Sequence, residues 1–165
     1  MPTTYDRDTS IAEATNQEDL SAHLAGINSR LVFGQNMVEA ESLAPSTDTG
    51  GAFQTKLTLS VTTNASNAGR YRLDWSYAWN HNATNNDFLA RIRQDGSTNI
   101  MTHRQEPKDS GGSGPGGTNQ VHRASGFINL TLTTGTFQFD LDYATQTPGI
   151  ESTIGDARLM IYRIS

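Results

Sequence analysis

Hydrophobic and polar residues alternate with a period of two along most of the chain. One face of residues 53–62 carries Phe53, Thr55, Leu57, Leu59 and Val61, and the other face is entirely polar, as in a strand with one buried side. Turn-rich sequence separates such segments, and no βαβ spacing occurs, which predicts an all-β, eight-stranded antiparallel jelly-roll sandwich. The predicted strands are residues 31–40, 53–62, 70–79, 86–95, 99–104, 120–132, 135–144 and 153–164.

The first 30 residues depart from this pattern and predict an N-terminal arm with one short helix. Residues 15–18 (TNQE) have the form of a capping box, in which the Thr and Glu side chains satisfy exposed amides at a helix start. Leu20, Leu24 and Ile27 follow at helical spacing. We expect this narrow apolar stripe to serve as an attachment element.

Residues 31–165 are predicted to form one jelly-roll domain. Residues 105–119 interrupt the strands with a dense run of Gly, Pro and Ser, which does not hold a packed conformation by itself. Strands of the same kind resume after it, so we expect a long surface loop within the domain rather than a linker between domains.

The last predicted strand breaks the alternation rule because neither of its faces is polar. Leu159 and Ile161 lie on one face, and Met160, Tyr162 and Ile164 occupy the other. A strand in a sheet with a solvated side should alternate apolar and polar residues. Either a loop or the N-terminal helix covers the second face, or another subunit does. We favour the subunit, since the modest apolar content leaves little within the chain to cover it.

Composition narrows the function classes. Only 35% of the 165 residues are apolar and 18% are charged, the formal net charge is −5, and there is no cysteine. The arginines are scattered rather than clustered, which argues against a nucleic-acid partner. The N-terminal residues show neither a signal peptide nor an apolar span. We therefore expect no membrane association, and synthesis in the cytoplasm or in a host's cytoplasm.

Candidate catalytic and metal-binding residues are few. Asp140 and Asp142 are two apart on a strand, as are Glu39 and Glu41, and such pairs could bind calcium or act in glycoside hydrolysis. The two aspartates alternate with apolar residues, so we interpret them as part of a solvated outer face. The four histidines are isolated from one another. We therefore predict no catalytic residue, no metal and no cofactor, and keep a glycan-cleaving enzyme with Asp140 or Glu106 as its acid only as a third option.

Aromatic residues suggest one candidate ligand loop. Residues 71–79 place two tyrosines and two tryptophans on one strand face, and their strict alternation favours a core position over a sugar-stacking platform. The Asn-rich turn that follows has amides suited to sugar hydroxyls. The candidate loop residues are Trp79, Asn80, His81 and Asn82.

Three segments together resemble the jelly-roll domains of tailed-bacteriophage virion proteins, which are similar to the tumour-necrosis-factor-like fold in topology. They are AGRYRLDWSYAWNHNATNNDFLARIRQDG, SGFINLTLTTGTFQFDLDYA and IGDARLMIYRIS, and the resemblance covers about residues 31 to 165. It implies two four-stranded sheets and a homotrimer around a three-fold axis through the sheet of the last strand. That strand would lie between the first strand and residues 70–79, with one of its faces in the core and the other near the axis.

The resemblance also implies a role in the virion. Proteins of this kind include capsid decoration proteins and the receptor-binding tips of fibres. A tip normally follows a long shaft, whereas only about thirty residues precede the first strand here, which favours a decoration or minor virion protein attached to the major capsid protein or the baseplate. The runner-up is a fibre tip that binds a host surface glycan through the loops at 80–87 and 105–119.

Overall fold

The computed structural model describes residues 35–84, 86–107 and 120–165. The predicted helix with Leu20, Leu24 and Ile27, the arm that precedes it and most of the Gly-rich loop lie outside the described residues. Within the described ranges, no helix is long and apolar enough to cross a bilayer.

The described residues form nine β-strands, one more than the eight predicted. The additional strand has only three residues, too few to show a period of two. Strand β1 extends two residues beyond its predicted end. The strands are β1 (Gln35–Ser42), β2 (Ser46–Asp48), β3 (Gln54–Thr63), β4 (Gly69–His81), β5 (Phe88–Gln94), β6 (Thr98–Gln105), β7 (His122–Leu132), β8 (Gly135–Thr145) and β9 (Ser152–Arg163).

The strands make two antiparallel sheets packed as a sandwich. The first sheet has the order β1-β9-β4-β7, with β2 pairing to β9 beyond the end of β1, and the second has the order β3-β8-β5-β6. We call them the β9 sheet and the β8 sheet. Strand β9 lies between β1 and β4, which confirms the position that the resemblance implied for the last strand.

The core lies between the two sheets and follows the predicted alternation. On β4, Tyr71, Leu73, Tyr77 and Trp79 are each at most 2% exposed. Inner positions of β3, β5, β7, β8 and β9 complete one cluster with them. Burial of this much aromatic and aliphatic area is the main stabilising contribution in a chain without disulfides. The rest of this cluster is Leu59, Val61, Phe88, Ala90, Ile92, Leu132, Phe139, Leu141, Tyr143, Ile154, Ala157, Leu159 and Ile161.

A β-bulge in β3 changes which side chains face inward. The pairing of β3 with β8 shifts register between Thr55 and Leu57, and an extra residue reverses the phase of alternation. Phe53 is 37% exposed, and Thr55 donates a hydrogen bond to Asp142 on the outer side (2.8 Å). The prediction that Phe53 and Thr55 share the inner face with Leu59 is therefore wrong, because it extended one period across the bulge.

Candidate functional site

The two faces of β9 have different environments. Leu159 and Ile161 are fully buried in the core. On the outer face Met160 is half-buried, and Tyr162 is only 7% exposed. Ile164 follows the strand and is half-buried. Of the residues predicted to form an oligomer interface, Leu159 and Ile161 therefore lie in the core. Met160 and Tyr162 lie on the outer face.

Tyr162 owes its burial to its own chain. It lies directly opposite Arg72 on β4, and the adjacent outer position holds Asp74, whose carboxylate binds the Arg72 guanidinium (2.7 Å). Burial, and then the charge of Asp74 and a hydrogen bond with it, raise the pKa of the Tyr162 hydroxyl. Charged neighbours thus cover much of this apolar side chain without a second subunit.

A groove of about 570 Å³ runs over the outer face beside Met160. Its size is in the range of ligand and peptide clefts. Small residues of β4 and β7 (Ser76 and Ser125) leave the space open, and Phe127 and Met160 supply apolar surface. Three carboxylates and two guanidinium groups line the rest, from Glu39, Glu41, Asp74, Arg72 and Arg158.

Charges around this groove are arranged in pairs of opposite sign. Arg72 also lies over the exposed ring of Phe127, with its central carbon 3.8 Å from the ring centroid, a cation–π geometry. Arg158 and Glu41 are 3.6 Å apart at the opposite wall. The hydrogen bond from Arg72 to Asp74 raises the pKa of the guanidinium. The groove therefore has an apolar centre and a mixed-charge rim, as protein interfaces commonly do.

Exposed apolar residues are concentrated on this side of the molecule. Of the five large apolar side chains that are exposed among the described residues, Met37, Leu43, Val121 and Phe127 belong to β9-sheet strands or their flanking segments. A smaller, separate hollow of about 190 Å³ on the same sheet is lined in part by Leu43 and Val121. The fifth, Phe53, packs against Arg91 on the β8 sheet, with the guanidinium carbon 3.9 Å from its ring.

The candidate ligand loop is largely enclosed. Trp79 is 1% exposed and stacks between Phe88 and His122, with ring centroids 4.7 and 4.4 Å away. His81 is also 1% exposed, and burial lowers its pKa, so the ring is neutral near pH 7. Its side chain is held by the Ala83 carbonyl and the Thr145 hydroxyl.

The accessible residues of that loop are Asn80 and Asn82. Asn80 is half-buried and Asn82 is exposed. Asn82 has a structural partner in Glu151, because its backbone N–H donates to the Glu151 carbonyl (3.1 Å) and its side-chain oxygen accepts from the Glu151 N–H (3.0 Å). Trp79 and His81, each 1% exposed, offer little surface to a sugar.

Asp140 and Asp142 face outward as predicted, but the expected solvation is wrong. They are 4% and 1% exposed. Asp142 accepts hydrogen bonds from Thr55 (2.8 Å), Arg91 (2.9 Å) and Arg93 (2.5 Å). Burial by itself would raise the pKa of Asp142, but these hydrogen bonds outweigh it and lower the pKa.

These contacts follow from strand pairing. Asp142 lies opposite Arg91, and Asp140 opposite Arg93, in the pairing of β5 with β8. Arg93 reaches both carboxylates, with Asp140 at 3.5 Å. Arg91 and Arg93 occupy alternate positions of one strand, which was the sequence signal for this cluster. That signal does not identify the aspartates as partners, because the sequence does not show that the two strands are neighbours. The cluster neutralises its own charges and serves the sheet rather than a ligand.

Metal binding finds no support in the described ranges, where no three His, Cys, Asp or Glu side chains are grouped as a metal site requires. Glu39 and Glu41 do share the outer face of β1, at the rim of the groove.

No protein-family model and no curated protein matches the sequence. Similar folds occur among solved structures. The infectious bursal disease virus VP2 subviral particle has a TM-score of 0.51 and 10% identity over 76% of this chain and 32% of that chain. Dimeric latent PorU from Porphyromonas gingivalis has a TM-score of 0.51 and 11% identity over 77% and 12%. Eiger TNF from S. frugiperda has a TM-score of 0.48 and 7% identity over 79% and 94%.

This chain thus spans about a third of the VP2 chain and about an eighth of the PorU chain. At such low identity the similarity establishes only a common β-sandwich fold. That fold is shared with a viral particle protein and with a bacterial protein.

Proposed function

We propose that the chain is a non-enzymatic, homotrimeric structural protein of a bacteriophage particle, with a jelly-roll body that decorates or stabilises the capsid. Two four-stranded orders, β1-β9-β4-β7 and β3-β8-β5-β6, are consistent with a jelly roll in which β2 is accessory. The fold similarity to a viral particle protein supports the virion role. The N-terminal residues Leu20, Leu24 and Ile27 would attach the body to the major capsid protein or the baseplate.

The outer face of the β9 sheet is the observation that carries the proposal. It combines a groove, exposed Phe127 (53%) and Met37 (55%), and charges of both signs. A groove and exposed large apolar side chains on one sheet face of a single chain mark interaction sites. Charges of both signs let identical faces meet without net repulsion. Copies of the chain are therefore suitable neighbours for this face.

Met160→Lys tests the trimer. In the isolated chain, Met160 lies between Glu39 and Asp74 on the neighbouring strands, so a lysine there gains opposite charges and should not unfold the monomer. In a subunit interface the same ammonium group would be buried against apolar surface, which is strongly unfavourable. Thr62→Lys, on the outer face of the β8 sheet, is the matched control.

Size-exclusion chromatography with light scattering at micromolar concentration measures the result. We expect the wild type and Thr62→Lys to have three times the chain mass of 17.9 kDa, or a multiple of three. Met160→Lys should lose the three-fold state and keep one cooperative urea transition, at a lower midpoint because subunit binding no longer stabilises the folded chain. A monomeric wild type, or a Met160→Lys variant that remains trimeric, would reject the proposal.

Copy number in the particle tests the virion role. A decoration protein is present in many copies per virion and a fibre tip in few, so quantitative proteomics of purified particles separates the two. Absence of the chain from particles rejects both.

A glycan-binding tip remains the second candidate, and the groove now favours a different place for it. The groove has an exposed aromatic ring, Phe127, beside carboxylates and a guanidinium group, which together suit sugar rings and hydroxyls. A glycan array with the wild type and with Phe127→Ser checks it. Specific binding that Phe127→Ser removes supports this role, and no binding to any surface glycan eliminates it.

A further inference from the structure

The four outer strands of the two sheets differ in how their free edges are protected. Exposed edges invite pairing with other chains, and natural proteins block them with bulges, short strands and charged side chains. Strand β1 has a register shift and carries Glu39 and Glu41. Strand β3 has a register shift and carries Lys56. The pairing of β6 with β5 is also shifted, and β6 carries Arg104.

Strand β7 has none of these devices over most of its length. It pairs with β4 through eleven consecutive residues without a shift. Residues 124–132 (ASGFINLTL) contain no charged side chain. Within the described ranges β7 pairs with β4 alone, so its other edge presents unpaired backbone groups along eleven residues, about 37 Å of strand.

The core-facing side of β7 is also incompletely covered. Ala124, Ile128 and Leu130 pack against the core but remain half-buried, whereas Leu73 and Tyr77, their neighbours on β4, are at most 2% exposed. One more strand at this edge would complete the backbone hydrogen bonds and cover these apolar side chains together.

We infer that β7 of a second copy of this chain occupies the edge, antiparallel, so that two β9 sheets join into one continuous sheet across a two-fold axis. Self-pairing of a strand is isologous and needs a self-complementary sequence. Phe127 is the midpoint of His122–Leu132, so the register with full overlap places Phe127 opposite its own copy.

That register is complementary on both faces. On the core side, small residues oppose large ones, because Gly126 meets Ile128 of the second copy and Ala124 meets Leu130. On the outer side, Phe127 meets Phe127, an aromatic cross-strand pair of a favourable kind. No like charges face each other, since Arg123 meets Thr131. This pairing goes beyond the proposed trimer, because it uses the β7 edge and a two-fold axis rather than the sheet face.

Cysteine cross-linking tests both the pairing and its register. The chain has no cysteine, so each introduced thiol is unique. Directly opposed antiparallel residues have Cα atoms about 4.5–5.5 Å apart, within reach of a disulfide. Phe127→Cys should therefore form a disulfide dimer under mild oxidation. Ser125→Cys or Asn129→Cys alone should not, because each lies about 14 Å from its own copy, whereas an equimolar mixture of the two should cross-link.

Hydrogen exchange of the full chain provides the second measurement. Amides of residues 122–132 should gain at least tenfold protection between low and high micromolar concentration. Equal cross-linking of all three single variants would mean a contact without register and would overturn the inference. Failure of Phe127→Cys to cross-link would overturn it as well. In that case, protection independent of concentration would indicate that residues 1–34 or 108–119 of the same chain cover the edge.

The same experiments in the Met160→Lys background separate this inference from the trimer. Cross-linking of Phe127→Cys should persist there, since Met160 is on β9 and not on the paired edge. Loss of the cross-link in that background would mean that the edge contact depends on the trimer and would overturn the two-fold pairing.

Discussion

Replacing Asp142 by alanine should destabilise the fold by about 3 kcal/mol. The carboxylate is 1% exposed and binds Thr55, Arg91 and Arg93. Its removal leaves Arg91 without an anion and Arg93 with Asp140 alone (3.5 Å), and breaking a buried ion pair from one side costs about 3–5 kcal/mol. The Arg91 and Arg93 side chains retain 25% and 19% exposure, so water recovers part of that loss, and the lower end of the range applies.

Urea unfolding followed by tryptophan fluorescence measures this change. Glu41→Gln is the control, because Glu41 forms an exposed pair with Arg158 and should change the free energy of unfolding by no more than about 0.5 kcal/mol. Replacing all four charged groups of the cluster, with Asp140→Leu, Asp142→Leu, Arg91→Met and Arg93→Met, should recover most of the lost stability, since apolar residues often replace a buried ion cluster without net cost. An Asp142→Ala variant as stable as the control would refute the reasoning.

Acid should weaken the same cluster. The pKa of Asp142 in the folded chain is below the ordinary value for this side chain, so its contribution to stability is complete above the unfolded pKa and is lost as pH falls through the lower folded pKa. Stability of the wild type should thus fall below about pH 4, and Asp142→Asn should flatten this part of the profile. If the stability of Asp142→Asn falls at low pH as much as that of the wild type, other carboxylates cause the acid destabilisation.

Two further substitutions test packing and a buried hydrogen bond. Gly126→Ala should destabilise the fold by about 1–3 kcal/mol, because the new Cβ would lie 2.6 Å from Cζ2 of Trp75. Gly155→Ala is the control and should be nearly neutral, since its Cβ would have no contact under 3.5 Å. Equal urea midpoints for the two variants would contradict this. Tyr77→Phe should cost about 1 kcal/mol, because the buried hydroxyl bonds Nδ1 of His103 at 2.6 Å. A neutral Tyr77→Phe variant would mean that water replaces this bond at His103.

Alternation predicted which side chains face the core because one side of each sheet packs against the other sheet. The period of two requires buried side chains at Leu73 and Trp79 on β4 and at Phe139 on β8, and all three are buried. The period failed at Phe53, where a bulge changes the phase, and such a bulge depends on pairing with β8 rather than on local sequence. The position of the last strand between the first strand and residues 70–79 came from the resemblance, since alternation contains no information about neighbours.

Facing outward and being exposed are different properties, and the sequence predicted only the first. Asp140 and Asp142 face outward, yet Arg91 and Arg93 of a strand nearly fifty residues earlier cover them. Tyr162 is covered in a similar way by Arg72 and Asp74. The groove beside Met160 arises from small residues on β4 and β7 that are adjacent only in the folded sheet.

The position of β9 in the middle of its sheet has a kinetic consequence. Strand β9 pairs with β1 through residues more than 100 positions apart, such as Ser42 and Ala157, and with β4 through residues about 80 apart. The turn at Gln94–Thr98 closes the β5–β6 hairpin locally. Because closing long loops costs entropy before contacts form, the hairpin should become native early. The β9 sheet should become native in one late, cooperative step, with folding times of about milliseconds to seconds.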